Sequence, residues 1–290
     1  MSDTQILQGR NPQDNQLFTF LGENQDKQIK VITVIGSSGV GKSFFLNYLL
    51  QDIEQFNNMR NIFPPSESSQ IEFCGVKYYL SKEKFLLFLE FEGIDYSKNN
   101  EQMNDLKNCL KDCADASTCI FYVHQNSRTN KGFEQILTLL NIQKQRDDHL
   151  VEILNKWNGD AIQSYSQSND YKDVFRDVYY LKALNFEDKY VLKNKNFQQF
   201  LDKMKEINKL INDFSPKNNM SCGQVDQQIF QKFRQNNVQF LNMNENANKK
   251  EPQAESENKF QLQTIQKCIL LIPYTLAFII FTKSIQRNQF

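Results

Sequence analysis

The stretch IKVITVIGSSGVGKSFFLN, residues 29–47, joins a β-branched apolar run to a helical one through the pattern Gly36-x-x-x-x-Gly41-Lys42-Ser43. In the order strand, glycine-rich loop, helix, successive backbone N–H groups of the loop point inward at the positive end of the helix. Glycines are needed there, because a Cβ would collide with phosphate oxygens or forbid the positive φ angles of the loop. We therefore interpret the loop as the binding site of a nucleotide triphosphate.

Two side chains of this loop have distinct predicted roles. Lys42 reaches the β- and γ-phosphates as a mobile point charge, and the Ser43 hydroxyl binds Mg²⁺. The alternative is a Gly/Ser turn with a chance lysine, which the register of strand, loop and helix disfavours. We expect the nucleotide to contact the whole loop and the start of the helix, namely Gly36, Ser37, Ser38, Gly39, Val40, Gly41, Lys42, Ser43 and Phe44.

Composition excludes several classes of protein. The 290 residues are 40% hydrophobic, which is enough for one large domain with appendages. Lys+Arg and Asp+Glu both number 34, so the net charge is zero and no excess of positive charge indicates nucleic-acid binding. Six scattered cysteines and two histidines argue against a zinc site or a disulfide framework and indicate a reducing, cytoplasmic environment. The polar N-terminus has no apolar h-region, so we expect no cleaved signal peptide.

Strand and helix patterns alternate along the chain. Strand patterns occur at 73–80, 85–91, 117–124 and 171–181, and helical patterns at 44–53, 101–116, 133–157 and 197–214. This order predicts an α/β fold, with a mainly parallel sheet flanked by helices on both faces and the ligand at the carboxyl ends of the strands.

The C-terminal part has a different composition from the rest. We expect a globular domain over 1–243, a disordered linker over 244–259, and an apolar segment over 260–290. The apolar run 268–282 would span about 22 Å as a helix, less than the bilayer core of about 30 Å, and it contains Pro273. It could be a core helix, a partner-binding helix or a membrane anchor. Because basic residues flank it after a linker, we include attachment to an intracellular membrane among the expectations.

The run FLLFLEFEG, 85–93, supplies what a triphosphate site needs beyond its loop. Glu90, at the end of a buried strand, would hold Mg²⁺ through water, and Gly93 would donate its N–H to the γ-phosphate. The Ser-rich loop 61–72 would cover Mg²⁺ with a switch hydroxyl when the γ-phosphate is present. Its candidates are Ser66, Ser68 and Ser69, of which we choose Ser69.

Guanine recognition is predicted at Arg176-Asp177, which we place at the carboxyl end of a strand. An aspartate there accepts hydrogen bonds from the N1–H and the exocyclic amine of guanine. The pair could instead be an ordinary surface ion pair. A competing segment, Asn-Lys-Trp-Asn at 155–158, lacks the final aspartate of Asn-Lys-x-Asp and continues a helical pattern, so we reject it.

Taken in order, these motifs resemble those of the large GTPases of the guanylate-binding protein and atlastin group. The similarity covers about residues 17–240 and includes the phosphate loop, FLLFLEFEG, STCIFYVHQNS at 117–127, Arg-Asp, and Phe214 and Pro216 followed by Cys222. The resemblance implies a P-loop G domain that binds GTP or GDP with Mg²⁺, hydrolyses GTP and forms a nucleotide-dependent homodimer. It also implies catalytic roles for Lys42, Ser69 and Gly93, and a Mg²⁺ site at Ser43, Ser69 and Glu90.

The sequence departs from that group at three positions. Gly39 stands where the group has an arginine that acts as an internal arginine finger, a contribution of roughly 10³–10⁵ in rate. No threonine lies between Thr33 and Thr118 to serve as the switch residue, and Glu90 replaces an aspartate. The missing arginine keeps open a degenerate G domain that recruits partners to a membrane without efficient hydrolysis. An ATP-dependent enzyme is a further alternative, which requires Asp177 to have no role in base recognition.

Overall fold

The structure, a computed structural model, describes ten stretches of the chain. They are residues 16–56, 61–64, 75–92, 101–125, 131–142, 147–157, 174–182, 195–215, 220–231 and 239–244. The chain divides into two compact units, Met1–Ala247 and Asn248–Phe290, and all described residues belong to the first. The predicted linker beyond Asn244 and the apolar run 268–282 lie outside the described residues, so their assignments stay predictions.

The described residues form seven strands, six helices and one π-helical turn. The strands are β1 (Lys30–Ile35), β2 (Gly75–Ser81), β3 (Leu86–Glu92), β4 (Cys119–Gln125), β5 (Asp147–Trp157), β6 (Phe175–Lys182) and β7 (Gln239–Asn242). The helices are α1 (Gln16–Glu23), α2 (Lys42–Glu54), α3 (Glu101–Ala116), α4 (Lys131–Leu139), α5 (Lys195–Asp213) and α6 (Cys222–Val225), and the π-helical turn is Asp226–Phe230.

One sheet of seven strands runs through this unit in the order β6-β5-β4-β1-β3-β2-β7. Strands β6, β5, β4, β1 and β3 are parallel, β2 is antiparallel to β3, and β7 is parallel to β2. Strand β1 therefore lies at the centre of the sheet, and every residue from Val31 to Ile35 is buried. The carboxyl end of β1 delivers the glycine-rich loop to the edge where parallel strands place ligands.

Helices cover both faces of the sheet. Successive side chains of a strand point to opposite faces, and here the side chains on both faces are mainly apolar. Helices α1, α3, α4 and α6 and the π-helical turn pack on one face, around residues such as Leu89 and Tyr122. Helices α2 and α5 pack on the other face, around residues such as Phe88 and Phe121. The predicted α/β fold, a mainly parallel sheet with helices on both faces, is confirmed.

The region 133–157 differs from the sequence prediction of a continuous helical stretch. A helix ends at Leu139, and a strand that is parallel to β4 follows from Asp147 to Trp157. Its apolar residues alternate between the faces of the sheet except at Glu152, a buried carboxylate. This single carboxylate leaves apolar residues at helix-like spacing, so periodicity alone could not identify β5.

Among the residues that the structure describes, no helix is long and apolar enough to cross a membrane.

Candidate functional site

The phosphate loop spans residues 36–41, between the end of β1 and the start of α2. Gly39 and Gly41 have φ angles of 75° and 92°, in the left-handed region that favours glycine. A Cβ on Gly36 would overlap the Val123 carbonyl oxygen, and one on Gly41 would overlap Nδ2 of Asn155. The glycines thus permit both the turn and the close approach of β4 and β5. The predicted strand, loop and helix follow one another without interruption in the structure.

Lys42 begins α2 and directs its ammonium group back over the loop. Nζ donates hydrogen bonds to the carbonyl oxygens of Gly36 and Ser37, at 3.1 and 2.9 Å. The lysine is only 4% exposed, so its charge is held inside the loop rather than in bulk solvent. This position suits a cation that binds phosphate oxygens delivered to the loop N–H groups.

Ser43, near the start of α2, contacts Glu90 of β3. The Ser43 hydroxyl donates to Oε1 of Glu90 at 2.7 Å, and Glu90 is completely buried. Register explains the contact, because Glu90 lies beside Val34 near the carboxyl end of β1. A hydroxyl and a carboxylate form an all-oxygen donor pair of the kind that Mg²⁺ prefers. The extra methylene of glutamate, compared with aspartate, does not prevent this pairing.

Within the described residues, no group of three or more His, Cys, Asp or Glu side chains is arranged to hold a metal ion. In nucleotide sites Mg²⁺ is usually held by one or two protein oxygens together with substrate phosphates. The Ser43 hydroxyl and the Glu90 carboxylate could supply such oxygens.

The carboxyl ends of β4 and β5 contact the phosphate loop through side-chain amides. Asn155 donates from Nδ2 to the Val40 carbonyl oxygen at 2.8 Å and is 2% exposed. Gln125 donates from Nε2 to the Gly39 carbonyl oxygen at 3.3 Å. The sequence prediction did not include either residue. For Asn155 the signal was the rejected Asn-Lys-x-Asn segment, whose described residues, 155–157, end strand β5 and are not helical.

Arg176 and Asp177 lie away from this edge of the sheet. Strand β6 begins at Phe175, so the pair stands near its amino end, and the prediction that it stands at a carboxyl end is wrong. Asp177 aligns with Val151, four residues before Asn155, which is about 13 Å along the strands. The pair forms a half-exposed ion pair at 3.4 Å, with the guanidinium 4.3 Å from the centroid of the Phe214 ring. Its geometry is that of a packing contact beside α5.

Charges of this ion pair act on the opposite end of β4 from the loop. Burial raises the pKa of the Cys119 thiol, Arg176 lowers it and Asp177 raises it. Cys119 is the first residue of β4, whereas Gln125, which contacts the phosphate loop, is its last. Cys119 begins β4 and Asp177 is the third residue of β6, so both stand towards the amino ends of the parallel strands.

His124 and Glu152 form a buried pair next to the loop. Nε2 of His124 lies 2.8 Å from Oε1 of Glu152, and the imidazole stacks on Tyr122 at a centroid distance of 4.9 Å. Burial, together with the Glu152 charge, raises the pKa values of Tyr122 and Tyr180. The pair fixes the orientation of the β4 end from which Gln125 reaches Gly39.

The segment 61–64, at the start of the Ser-rich loop, is attached to α2 and β2. The Asn47 amide accepts from Phe63 N at 2.7 Å and donates to Phe63 O at 2.9 Å. Lys77 of β2 donates from Nζ to the Pro64 carbonyl oxygen at 3.0 Å. These contacts anchor the chain that leads into residues 65–70. The candidate switch residues Ser66, Ser68 and Ser69, together with Gly93, lie outside the described residues.

Phe44, predicted to contact the nucleotide, starts the helix that follows the loop. Its ring packs against Tyr48 and Phe200, at centroid distances of 4.8 and 5.8 Å. The side chain therefore joins α2 to α5.

No family model matches the chain, and no curated protein matches it. Matching solved structures include a protein from Thermus thermophilus, with 13% identity and a TM-score of 0.33. Two others are the GDP-bound Roco2 RocCORdC of Methanosarcina barkeri and the bacterial selenocysteine-specific elongation factor EF-Sec, each 12% identical, with TM-scores of 0.32 and 0.37. The matches cover 48%, 66% and 65% of this chain but only 21%, 51% and 29% of those chains, respectively.

Proposed function

We propose that this protein binds a guanine nucleotide at the phosphate loop and hydrolyses GTP slowly. The observation that carries the proposal is the convergence of Lys42 and the Ser43–Glu90 pair on one glycine-rich loop. A buried ammonium group and loop N–H groups suit phosphates, and the hydroxyl–carboxylate pair suits their metal ion. Together they favour a triphosphate over a singly phosphorylated ligand.

The base is proposed to lie at the carboxyl end of β5, not beside Asp177. Asn155 contacts the phosphate loop directly and stands at the level of Gln125, beyond the end of β1. A nucleotide whose phosphates occupy the loop would extend its base over this end of the sheet. The motif Asn-Lys-x-Asn that begins at Asn155 offers amide oxygens as acceptors for guanine N–H groups.

The chain's own groups account for the chemistry that we propose. Lys42 holds developing negative charge on the phosphates, and the loop N–H groups orient the γ-phosphate. Ser43 and Glu90 would hold Mg²⁺, which neutralises phosphate charge when it is bound. We also propose that the Ser69 hydroxyl covers Mg²⁺ and that the Gly93 N–H donates to the γ-phosphate. Gly39 carries no guanidinium, so we expect a rate well below that of arginine-assisted GTPases.

The same glycine supports a second candidate function. A G domain without this arginine can use the nucleotide as a structural or switching ligand and act by recruiting partners. We also propose that the protein is related to the guanylate-binding proteins and atlastins and forms a nucleotide-dependent dimer. We further propose that it is cytoplasmic and attached to an intracellular membrane through 268–282. These proposals rest on the sequence motifs and on the apolar run.

Titration of fluorescent GDP and GTP, with ATP as competitor, tests nucleotide binding. We expect Lys42→Met to weaken binding roughly tenfold to a hundredfold, because it removes charge-assisted hydrogen bonds to phosphate. Lys82→Met, in the exposed turn after β2, is the matched control and should bind like the wild type. Equal affinity for ATP and GTP would contradict the guanine assignment.

Turnover of GTP measured over a range of protein concentrations separates the two candidate functions. Slow turnover that Lys42→Met abolishes supports the GTPase, and a rise with protein concentration supports dimer-stimulated hydrolysis. Tight binding without any turnover supports the recruitment module instead.

A further inference from the structure

A buried cation faces the carboxylate of the proposed metal site. Lys77 of β2 lies directly opposite Glu90 of β3 in the antiparallel register. Directly opposite residues share a face of the sheet, with Cβ atoms about 4.5–5.5 Å apart. Lys77 is 4% exposed and Glu90 is fully buried, although lysine is among the residue types least often buried. The sequence analysis gave Lys77 no role.

The hydrogen bonds of Lys77 hold its charge in this corner. Nζ donates to the Pro64 carbonyl oxygen at 3.0 Å, and the neighbouring Phe63 is fixed by Asn47 of α2. The ammonium group is thus held between β2, the segment 61–64 and α2. This is also the face of the sheet on which Ser43 meets Glu90.

Charge balance links Lys77 to the metal ion. A buried ammonium group is expensive unless a counter-charge lies nearby, and Glu90 is the carboxylate directly opposite it. Because the Ser43–Glu90 oxygens are also the pair that fits Mg²⁺, the ion and the ammonium group share one carboxylate. Two cations that share one carboxylate in a buried site weaken each other's binding.

We propose that Lys77 is a resident cation of the nucleotide site that offsets the charge of Glu90 and lowers the dependence of nucleotide binding on Mg²⁺. It acts as a positioning residue, because its ammonium group donates to the segment 61–64 and its strand position lies opposite Glu90. The inference rests on the proposed function. The same contact ties the start of the Ser-rich loop to the metal corner, so a change in the metal site would be transmitted to Pro64.

The test compares the dissociation rate of fluorescent GDP in excess Mg²⁺ with the rate in excess EDTA. In the wild type we expect removal of Mg²⁺ to accelerate release by less than about tenfold. Lys77→Gln keeps an N–H donor for Pro64 but removes the charge, and should make this ratio at least about tenfold larger. Lys77→Arg should restore the wild-type ratio, and Lys82→Met, an exposed lysine on the same hairpin, should not change it.

Calorimetric titration of Mg²⁺ into the GDP complex gives a second readout, in which Lys77→Gln should bind Mg²⁺ more tightly than the wild type. Equal ratios in the wild type and Lys77→Gln would overturn the inference while leaving nucleotide binding intact. A wild-type acceleration above about a hundredfold would overturn it without any variant, even if Lys77→Gln fails to fold. Failure of the wild type to bind GDP at all would overturn the proposed function, and this inference with it.

Discussion

Of the three glycines in the phosphate loop, Gly39 is the one that can be replaced by a residue with a side chain with the least disturbance of packing. Apart from its two neighbours in sequence, no described residue has an atom within 4 Å of a Cβ built at Gly39, and the residue is exposed. Its φ of 75° costs an L-residue roughly 1–2 kcal/mol, which is a local strain. An arginine placed there would stand beside the phosphates with space around it.

We expect Gly39→Arg to raise the GTP turnover number by about tenfold or more, a part of what a fully engaged arginine finger supplies. Turnover at saturating GTP, over a range of protein concentrations, checks this. Gly39→Ala carries the same backbone strain without the charge and serves as control. If the two variants hydrolyse GTP equally, the absence of an arginine does not limit the rate.

Single residues of the loop could be predicted because their chemistry is local. The pattern from Gly36 to Ser43 fixes the backbone, the cation and the hydroxyl in one short stretch. Asp177 could not be placed correctly, because its role depended on where β6 begins, and the strand begins at Phe175. Asn155 and Lys77 make their contacts with residues distant in sequence, Val40 and Pro64, and a local pattern does not predict such contacts.

Helix α2 organises both the phosphate loop and the segment 61–64. Its Asn47 makes hydrogen bonds to both backbone polar groups of Phe63 and is 3% exposed. Removal of the amide leaves these buried groups without their partner, a cost of roughly 1–3 kcal/mol. The segment 61–64, which begins the Ser-rich loop, would then separate from α2 more often.

We expect Asn47→Ala to lower the free energy of unfolding by roughly 1–3 kcal/mol and to speed amide exchange at Phe63. Urea denaturation and hydrogen exchange measure the two effects. Asn208→Ala removes a hydrogen bond of 2.7 Å to Asp52 that also involves α2, but from the side of α5. That control should leave exchange at Phe63 unchanged, and equal acceleration in both variants would contradict the proposed anchor.

Among the elements, the alternation of strands and helices was enough to predict the α/β sheet. The helix at Glu101–Ala116 and the helix Lys195–Asp213 follow their apolar periodicity closely. Strand β5 was not predicted, because the buried Glu152 interrupts its apolar run and forms a hydrogen bond with His124 of β4. A buried hydrogen bond between side chains of two strands is a tertiary feature, so the sequence of either strand alone does not predict it.

The stability of the whole domain should depend on pH in the alkaline range. Burial raises the pKa of the Cys222 thiol to about 11, against about 8.5 for an exposed thiol. Since the raised pKa belongs to the folded state, the unfolded chain loses this proton first. The contribution of the protonated thiol is complete below about pH 8.5 and is lost as pH rises through about 11.

We therefore expect the melting temperature to fall between pH 8 and pH 11, and to fall less steeply in Cys222→Ala. Scanning calorimetry across this range measures the two slopes. Partly buried tyrosines such as Tyr179, whose pKa is raised to about 12, also contribute in the upper part of this range, but they affect both proteins alike. Identical slopes would show that the Cys222 thiol does not titrate differently on unfolding.

At the scale of the full chain, the proposed anchor over 268–282 is open to a direct test. A charge at the centre of a membrane-inserted helix costs about 2.5–3.5 kcal/mol. Leu276→Arg should therefore shift the full chain from the membrane to the soluble fraction in a vesicle flotation assay. Gln261→Arg, outside the apolar run, is the control. Equal flotation of both variants would show that the run does not insert.

The central claim is that a guanine nucleotide binds with its phosphates in the loop 36–41 and its base over the carboxyl end of β5. Equilibrium titration of fluorescent GDP against the wild type, Asn155→Ala and Asp177→Ala tests it most directly. We predict that Asn155→Ala weakens binding at least about tenfold, since it removes a buried hydrogen bond to the loop, while Asp177→Ala binds like the wild type. Loss of GDP binding in Asp177→Ala, with normal binding in Asn155→Ala, would contradict the claim.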